Sequence, residues 1–242
     1  MGEYYNWVNV DRKEYICPSD FGLGNKLMET SNPHNSFLCA FRELLGSEWR
    51  DSHIIFLGDS KELTEDDKNE TLGILYRHSE ESGYKGSGID TIVETYTNIS
   101  SWFSAAETNV RQEIEYYLKE LEIGEKDAFN EYSVDPADPY KNLFTRKGKD
   151  YRYTVNYSKK VYFSSDDVRI KLLNPVVIYD PDKPQNKRFS KPKKIHNPQI
   201  DPIFYLMRHG YRGIGDWVGD IIGVSDEIPE GFTMIRKVTI DN

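Results

Sequence analysis

Long apolar runs are missing from this chain. None approaches the roughly 20 consecutive apolar residues that a membrane-spanning helix needs. Cysteine is scarce too. Cys17 and Cys39 are the only two, and their spacing fits neither a zinc site nor a redox motif. The expectation is two reduced thiols in a cytoplasmic protein, not a disulfide. The five histidines show no H-x-H or H-E-x-x-H spacing, so no metal site is expected. No G-x-S-x-G elbow or Cys/His arrangement is present. The sequence therefore names no catalytic residue, and leaves open both enzyme status and any cofactor. The opening M-G-E-Y-Y-N-W lacks a basic region followed by an apolar run, which predicts no secretory signal. Positive charge is in deficit. Lys and Arg number 31 against 40 Asp and Glu, giving a net charge of -9. That balance argues against non-specific nucleic-acid binding by the whole surface.

What is present is ample material for a core: 38% hydrophobic and 13% aromatic residues over 242 positions. Tyrosine, at 17, is unusually common. Many tyrosines must sit half-buried, with the hydroxyl on water or on a partner.

Two stretches share one shape. Trp217 to Glu227 reads W-V-G-D-I-I-G-V-S-D-E, and Trp49 to Ser60 reads W-R-D-S-H-I-I-F-L-G-D-S. Each is a tryptophan, a short apolar strand and a closing aspartate. The similarity extends upstream. The segment from Tyr151 lays without gaps on the one from Tyr4, matching Val8 with Val155, Asn9 with Asn156 and Asp20 with Asp167. Residues 4 to 17 read as a hairpin. Asn32-Pro33 leads into a helix with Ser36 as N-cap, and Asn197-Pro198 leads into one capped by Asp201 and closed by Gly210. The predicted fold is α+β: two duplicated hairpin–helix–strand units forming antiparallel or mixed sheet, with a helical insertion between them. The units span 1–63 and 131–242, the insertion 64–130, and the whole is one compact domain. The insertion holds three apolar-periodic helices, the first with Thr64 and Asp67 as a capping box.

Y-Y-N-W-V-N-V-D-R-K-E-Y-I at the start, F-L-G-D at 56 to 59 and W-V-G-D-I-I-G-V-S-D at 217 to 226 resemble a gut-bacterial (Firmicutes-type) family with no known activity. The resemblance runs along most of the chain. It implies a compact bacterial cytoplasmic protein and assigns no site residues.

Three features are candidates for chemistry. Gly83-Tyr84-Lys85-Gly86-Ser87-Gly88 and Gly210-Tyr211-Arg212-Gly213-Ile214-Gly215 share G-Y-[K/R]-G-x-G. Such glycines let backbone N–H groups converge on an anion, with Lys85 or Arg212 adding charge. The simpler reading is that both only end the helices before them. Asp59 and Asp226 form a candidate acidic pair if the two units face each other. The simpler reading is that aspartate ends a strand by bonding nearby backbone. Residues 181 to 198 carry six cations, Lys191, Lys193 and Lys194 among them, against one acid, with four prolines. Such a loop stays extended and suits an anionic partner, or offsets acidic surroundings. Nucleic acid is expected, if at all, only through this loop.

Two function classes follow. One is a cytoplasmic protein-binding module, of inhibitor or immunity type, because tyrosine suits interfaces. The alternative is an enzyme or sensor for a phosphorylated small molecule or nucleotide.

Overall fold

The computed structural model describes residues 3–59, 62–63, 69–83, 88–124, 130–141, 143–172, 177–178, 193–194, 200–211 and 213–240. The fold is α+β. The strands are β1 (Tyr5–Asn9), β2 (Glu14–Ile16), β3 (Ile54–Gly58), β4 (Thr97–Asn98), β5 (Tyr153–Asn156), β6 (Val161–Phe163) and β7 (Arg169–Leu172). They continue as β8 (Val177–Ile178), β9 (Lys193–Lys194), β10 (Arg208–Gly210), β11 (Gly213–Ile214), β12 (Ile222–Ser225), β13 (Thr233–Met234) and β14 (Lys237–Ile240). The α-helices are α1 (Leu27–Thr30), α2 (Ser36–Gly46), α3 (Glu70–Ser82), α4 (Gly88–Thr95), α5 (Glu107–Glu122) and α6 (Ile203–Leu206).

A six-stranded mixed sheet runs in the order β11-β10-β3-β1-β2-β4, and a four-stranded one in the order β12-β5-β6-β13. The larger sheet is covered on both faces. Trp7, Ile16, Ile54 and Phe56 point into the main core with α2 and α6, where Phe41 stacks on Trp7 at 3.8 Å between ring centroids. Val8, Tyr15, Ile55 and Leu57 point the other way, onto Leu72, Leu75 and Ile92 of α3 and α4. Burial on both faces is why β3 reads as an unbroken apolar run instead of an alternating one. The smaller sheet adds Phe163 and Ile222 to the main core, together with Trp217, while Tyr153, Val155 and Tyr162 form a cluster of their own.

The two hairpins share one register. Asn9 faces Glu14 as Asn156 faces Val161, and Trp7 faces Ile16 as Thr154 faces Phe163. Asn9 Oδ1 accepts from Arg12 N, and Asn156 Oδ1 from Lys159 N. Lys13 and Lys160 both take positive φ. Each first strand then pairs antiparallel with a later one, Asn9 with Ile54 and Asn156 with Ile222. Val10 N donates to His53 O as Tyr157 N donates to Ile221 O. In this register Asp226 stands where Gly58 does, so Asp59 and Asp226 are not equivalent.

The likeness stops at the helices. The helix expected to run to Gly210 ends at Leu206 after four residues, against 11 in α2. Arg208 to Gly210 is instead β10, parallel to β3. The outer edge of β3 needs backbone partners, and Phe56 N takes the Met207 carbonyl at 2.9 Å. Gly215 sits where a Cβ would run into the carbonyls of Tyr205 and Leu206. Only glycine lets the chain return that closely. The segment read as a helical insertion also joins the larger sheet, since β4 pairs with β2.

Local caps differ by a residue or two from expectation. Asn35, not Ser36, caps α2, its Oδ1 accepting from Leu38 N at 2.7 Å. An asparagine there satisfies an orphan amide just as serine would. Asn69 caps α3, while Thr64 and Asp67 lie outside the described residues. Pro202, not Asp201, is the N-cap of α6, and Asp201 just before it accepts from Ile203 N at 2.9 Å.

Candidate functional site

The glycine segments part company. Gly83 takes the left-handed conformation that ends α3, and Gly88 begins α4 against Leu57. Lys85 and Gly86 lie outside the described residues. In the second segment Gly210 of β10 pairs with Gly213 of β11, so the glycines join two antiparallel strands instead of ending a helix. Gly213 has φ 107°, a conformation that suits glycine. Arg212 is outside the described residues. Tyr211 N donates to Glu3 Oε1 at 2.7 Å. Tyr211 is 79% exposed and Ile214 45%. Tyr4, 48% exposed, stands just before β1 at the same end of the sheet, with Asp59 beside it.

Asp59 and Asp226 each close their own strand. Asp59 Oδ1 accepts from Tyr4 N at 3.1 Å. Asp226 pairs with Lys149 Nζ at 2.7 Å, and this hydrogen bond holds its carboxyl below the ordinary range. Asp59 belongs to the end of β3 in the larger sheet and Asp226 to the end of β12 in the smaller one. Of the basic loop, Lys193 and Lys194 form β9, antiparallel to β8. Lys191 and most of 181 to 198 lie outside the described residues. No group of three or more metal-ligating side chains occurs among the described residues. No described helix is long and apolar enough to cross a membrane.

Two buried polar clusters carry more than these. In the first, Arg42 of α2 is 1% exposed and pairs with Asp201, itself fully buried, at 2.8 Å. Its guanidinium also bonds Asp150, Ser165 and, at 3.3 Å, Thr154. Asp150 in turn bonds His34, whose other ring nitrogen meets Asp166 at 3.1 Å. The hydrogen bond to Asp150 raises the His34 pKa above its ordinary value, and Asp166 adds to it. Arginine suits this hub because its planar fork serves several acceptors at once. The cluster ties α2 to the second hairpin and to the start of α6.

In the second, the side-chain amide of Asn98 donates to two carboxylates, Asp20 Oδ2 at 2.9 Å and Glu131 Oε1 at 2.6 Å. Tyr132 donates to Asp20 at 3.0 Å and Tyr15 to Glu131 at 2.8 Å. Burial, reinforced by the charge of Glu131, pushes the Asp20 carboxyl up to about 6. Burial pushes the Cys17 thiol up to about 12.

Sequence reasoning passed over both clusters. Arg42 had one visible signal: it occupies an apolar-stripe position of α2, four residues after Leu38 and three before Leu45. The pairing of Asp20 with Glu131 had none, because the two meet across 111 positions. Comparison with protein families, with curated proteins and with solved structures finds no match.

Proposed function

We propose that this chain is a cytoplasmic protein-binding module, of inhibitor or immunity type, whose partner is a protein with a cationic surface. The contact surface is the end of the larger sheet that carries the β10–β11 hairpin. The observation that carries the reading is Tyr211, 79% exposed just after β10, with Ile214 of the partner strand β11 exposed as well and Tyr4 at the same end. Tyrosine covers contact area at small entropic cost, and exposed apolar groups beside it suit an interface centre. Glu3 accepts from the Tyr211 backbone and Asp59 from that of Tyr4, and the chain carries -9 overall. That charge favours a basic partner and speeds encounter with one.

A phosphorylated ligand is the weaker reading. The Tyr211 N–H, which an anion would need, is already taken by the carboxylate of Glu3. The duplication is also part of the proposal. The matched hairpins support it, the unmatched helices limit it, and superposing 4–60 on 151–227 tests it.

A photo-crosslinking residue placed at Ile214 tests the binding surface in cells, with Ile228, 64% exposed, as the control position. The expected result is a discrete adduct from 214, absent from 228 and lost on Tyr211→Ser. The same products from both positions, or none from 214, would overturn the reading.

A further inference from the structure

The acid cluster around Asp20 lies far from the hairpin and plays no part in binding there. Its composition is one-sided. The helical turn Pro18–Phe21 brings Asp20, β2 brings Tyr15 and, just after it, Cys17. The segment 130–134 brings Glu131 and Tyr132. Facing them are Asn98 of β4, Ser100 after it and Asn109 of α5, all neutral. So, among the described residues, the five titratable groups that face one another here are all acids. Among the described residues, the donors to the two carboxylates are an amide and hydroxyls, and none is a cation. Asp20 is 6% exposed, so water screens it poorly from Glu131.

The cluster also has a mechanical position. Asn98 N donates to Glu131 O at 3.2 Å, so the bridging asparagine holds the segment by backbone and side chain together. Asn130 and Val134 close that segment on itself, with Val134 N donating to Asn130 Oδ1 at 2.6 Å. Tyr132 and Val134 pack on the main core. Whatever pushes Glu131 from Asp20 pushes the whole turn.

We propose that Asp20 and Glu131 form a proton-operated latch that holds segment 130–134 against β4 and the Pro18–Phe21 turn more tightly when the surroundings acidify. At neutral pH two carboxylates share one amide and repel each other. On acidification Asp20 takes a proton from water, its charge disappears, and its carboxyl becomes a hydrogen-bond donor. The direction follows from linkage. A carboxyl whose folded pKa is raised contributes stability that is complete below its ordinary value, 3.8, and is lost as pH rises through about 6.

Amide hydrogen exchange on the full chain, corrected for intrinsic rates, reads this locally. Between pH 7.5 and 5, protection of the Asn98 and Val134 amides should rise by at least about threefold. Asp20→Asn cannot titrate and should abolish the rise. Glu131→Gln removes the repelling charge and should shrink the rise and move it to lower pH. If Asp20→Asn fails to fold, the comparison of the native chain with Glu131→Gln decides. An unchanged pH response in either variant, or no rise in the native chain, overturns the latch.

Discussion

Arg42→Met isolates the buried ion pair with little change in packing, since methionine keeps the length of the arginine stem. In the native chain the Asp201 carboxylate is fully buried and bonded to Arg42, Ser165 and the Ile203 N–H. Without the guanidinium it keeps the two neutral donors and loses its countercharge. Stranding one member of a buried pair costs ~3–5 kcal/mol. Asp150, the second carboxylate on Arg42, has about a third of its side chain exposed, so losing that pair adds no more than ~1 kcal/mol. The loss should thus be ~3–5 kcal/mol, measured by urea unfolding at pH 7 with tryptophan fluorescence. A second substitution sharpens the test. Asp201→Asn on top of Arg42→Met removes the stranded charge and retains a side chain that can accept from Ile203 N. It should restore about 2 kcal/mol, because relieving an unpaired buried charge recovers its desolvation cost. A loss below ~1 kcal/mol for Arg42→Met, typical of surface sites, would refute the reasoning. So would a double variant no more stable than the single one.

Trp217, 3% exposed and packed on Phe163 at 5.7 Å, should cost ~3–5 kcal/mol on replacement by alanine, again read by urea unfolding. A loss below ~1 kcal/mol would place it on the surface instead. His34 has a raised pKa, so its contribution is complete below its ordinary value, 6.5, and fades as pH rises through the raised one. His34→Asn tolerates the positive φ at this position and should flatten the fall in unfolding midpoint between pH 6 and pH 9. An unchanged slope would show that the bridge to Asp150 and Asp166 does not operate in solution.

Local signals made much of the fold legible. The strand formers from Tyr5 to Ile16, the apolar stripe of α2 and the apolar run Ile54 to Leu57 each appear where their patterns put them. The α+β class follows from those elements. What was not legible was decided by partners distant in sequence. Nothing local distinguishes Arg208-His209-Gly210 as the end of a helix from a strand, and the open edge of β3 settles it. The glycines of the second G-Y-R-G-I-G segment read as a cap for the same reason, although they make a hairpin that presents Tyr211. Asp201 reads as the N-cap of α6, but Pro202 holds that position and Asp201, one residue earlier, accepts from Ile203 N. Its second task, pairing with Arg42, depends on a helix more than 150 positions away. The Asn98 bridge between Asp20 and Glu131 is likewise invisible until three separate segments meet.

The most direct test of the binding reading is the affinity of the native chain and of Tyr211→Ala for the protein crosslinked through position 214. Titration calorimetry should show binding weakened by more than about tenfold, as loss of an interface anchor does. The melting temperature should stay the same, because Tyr211 is almost fully exposed. Equal affinities for the two chains would contradict the account.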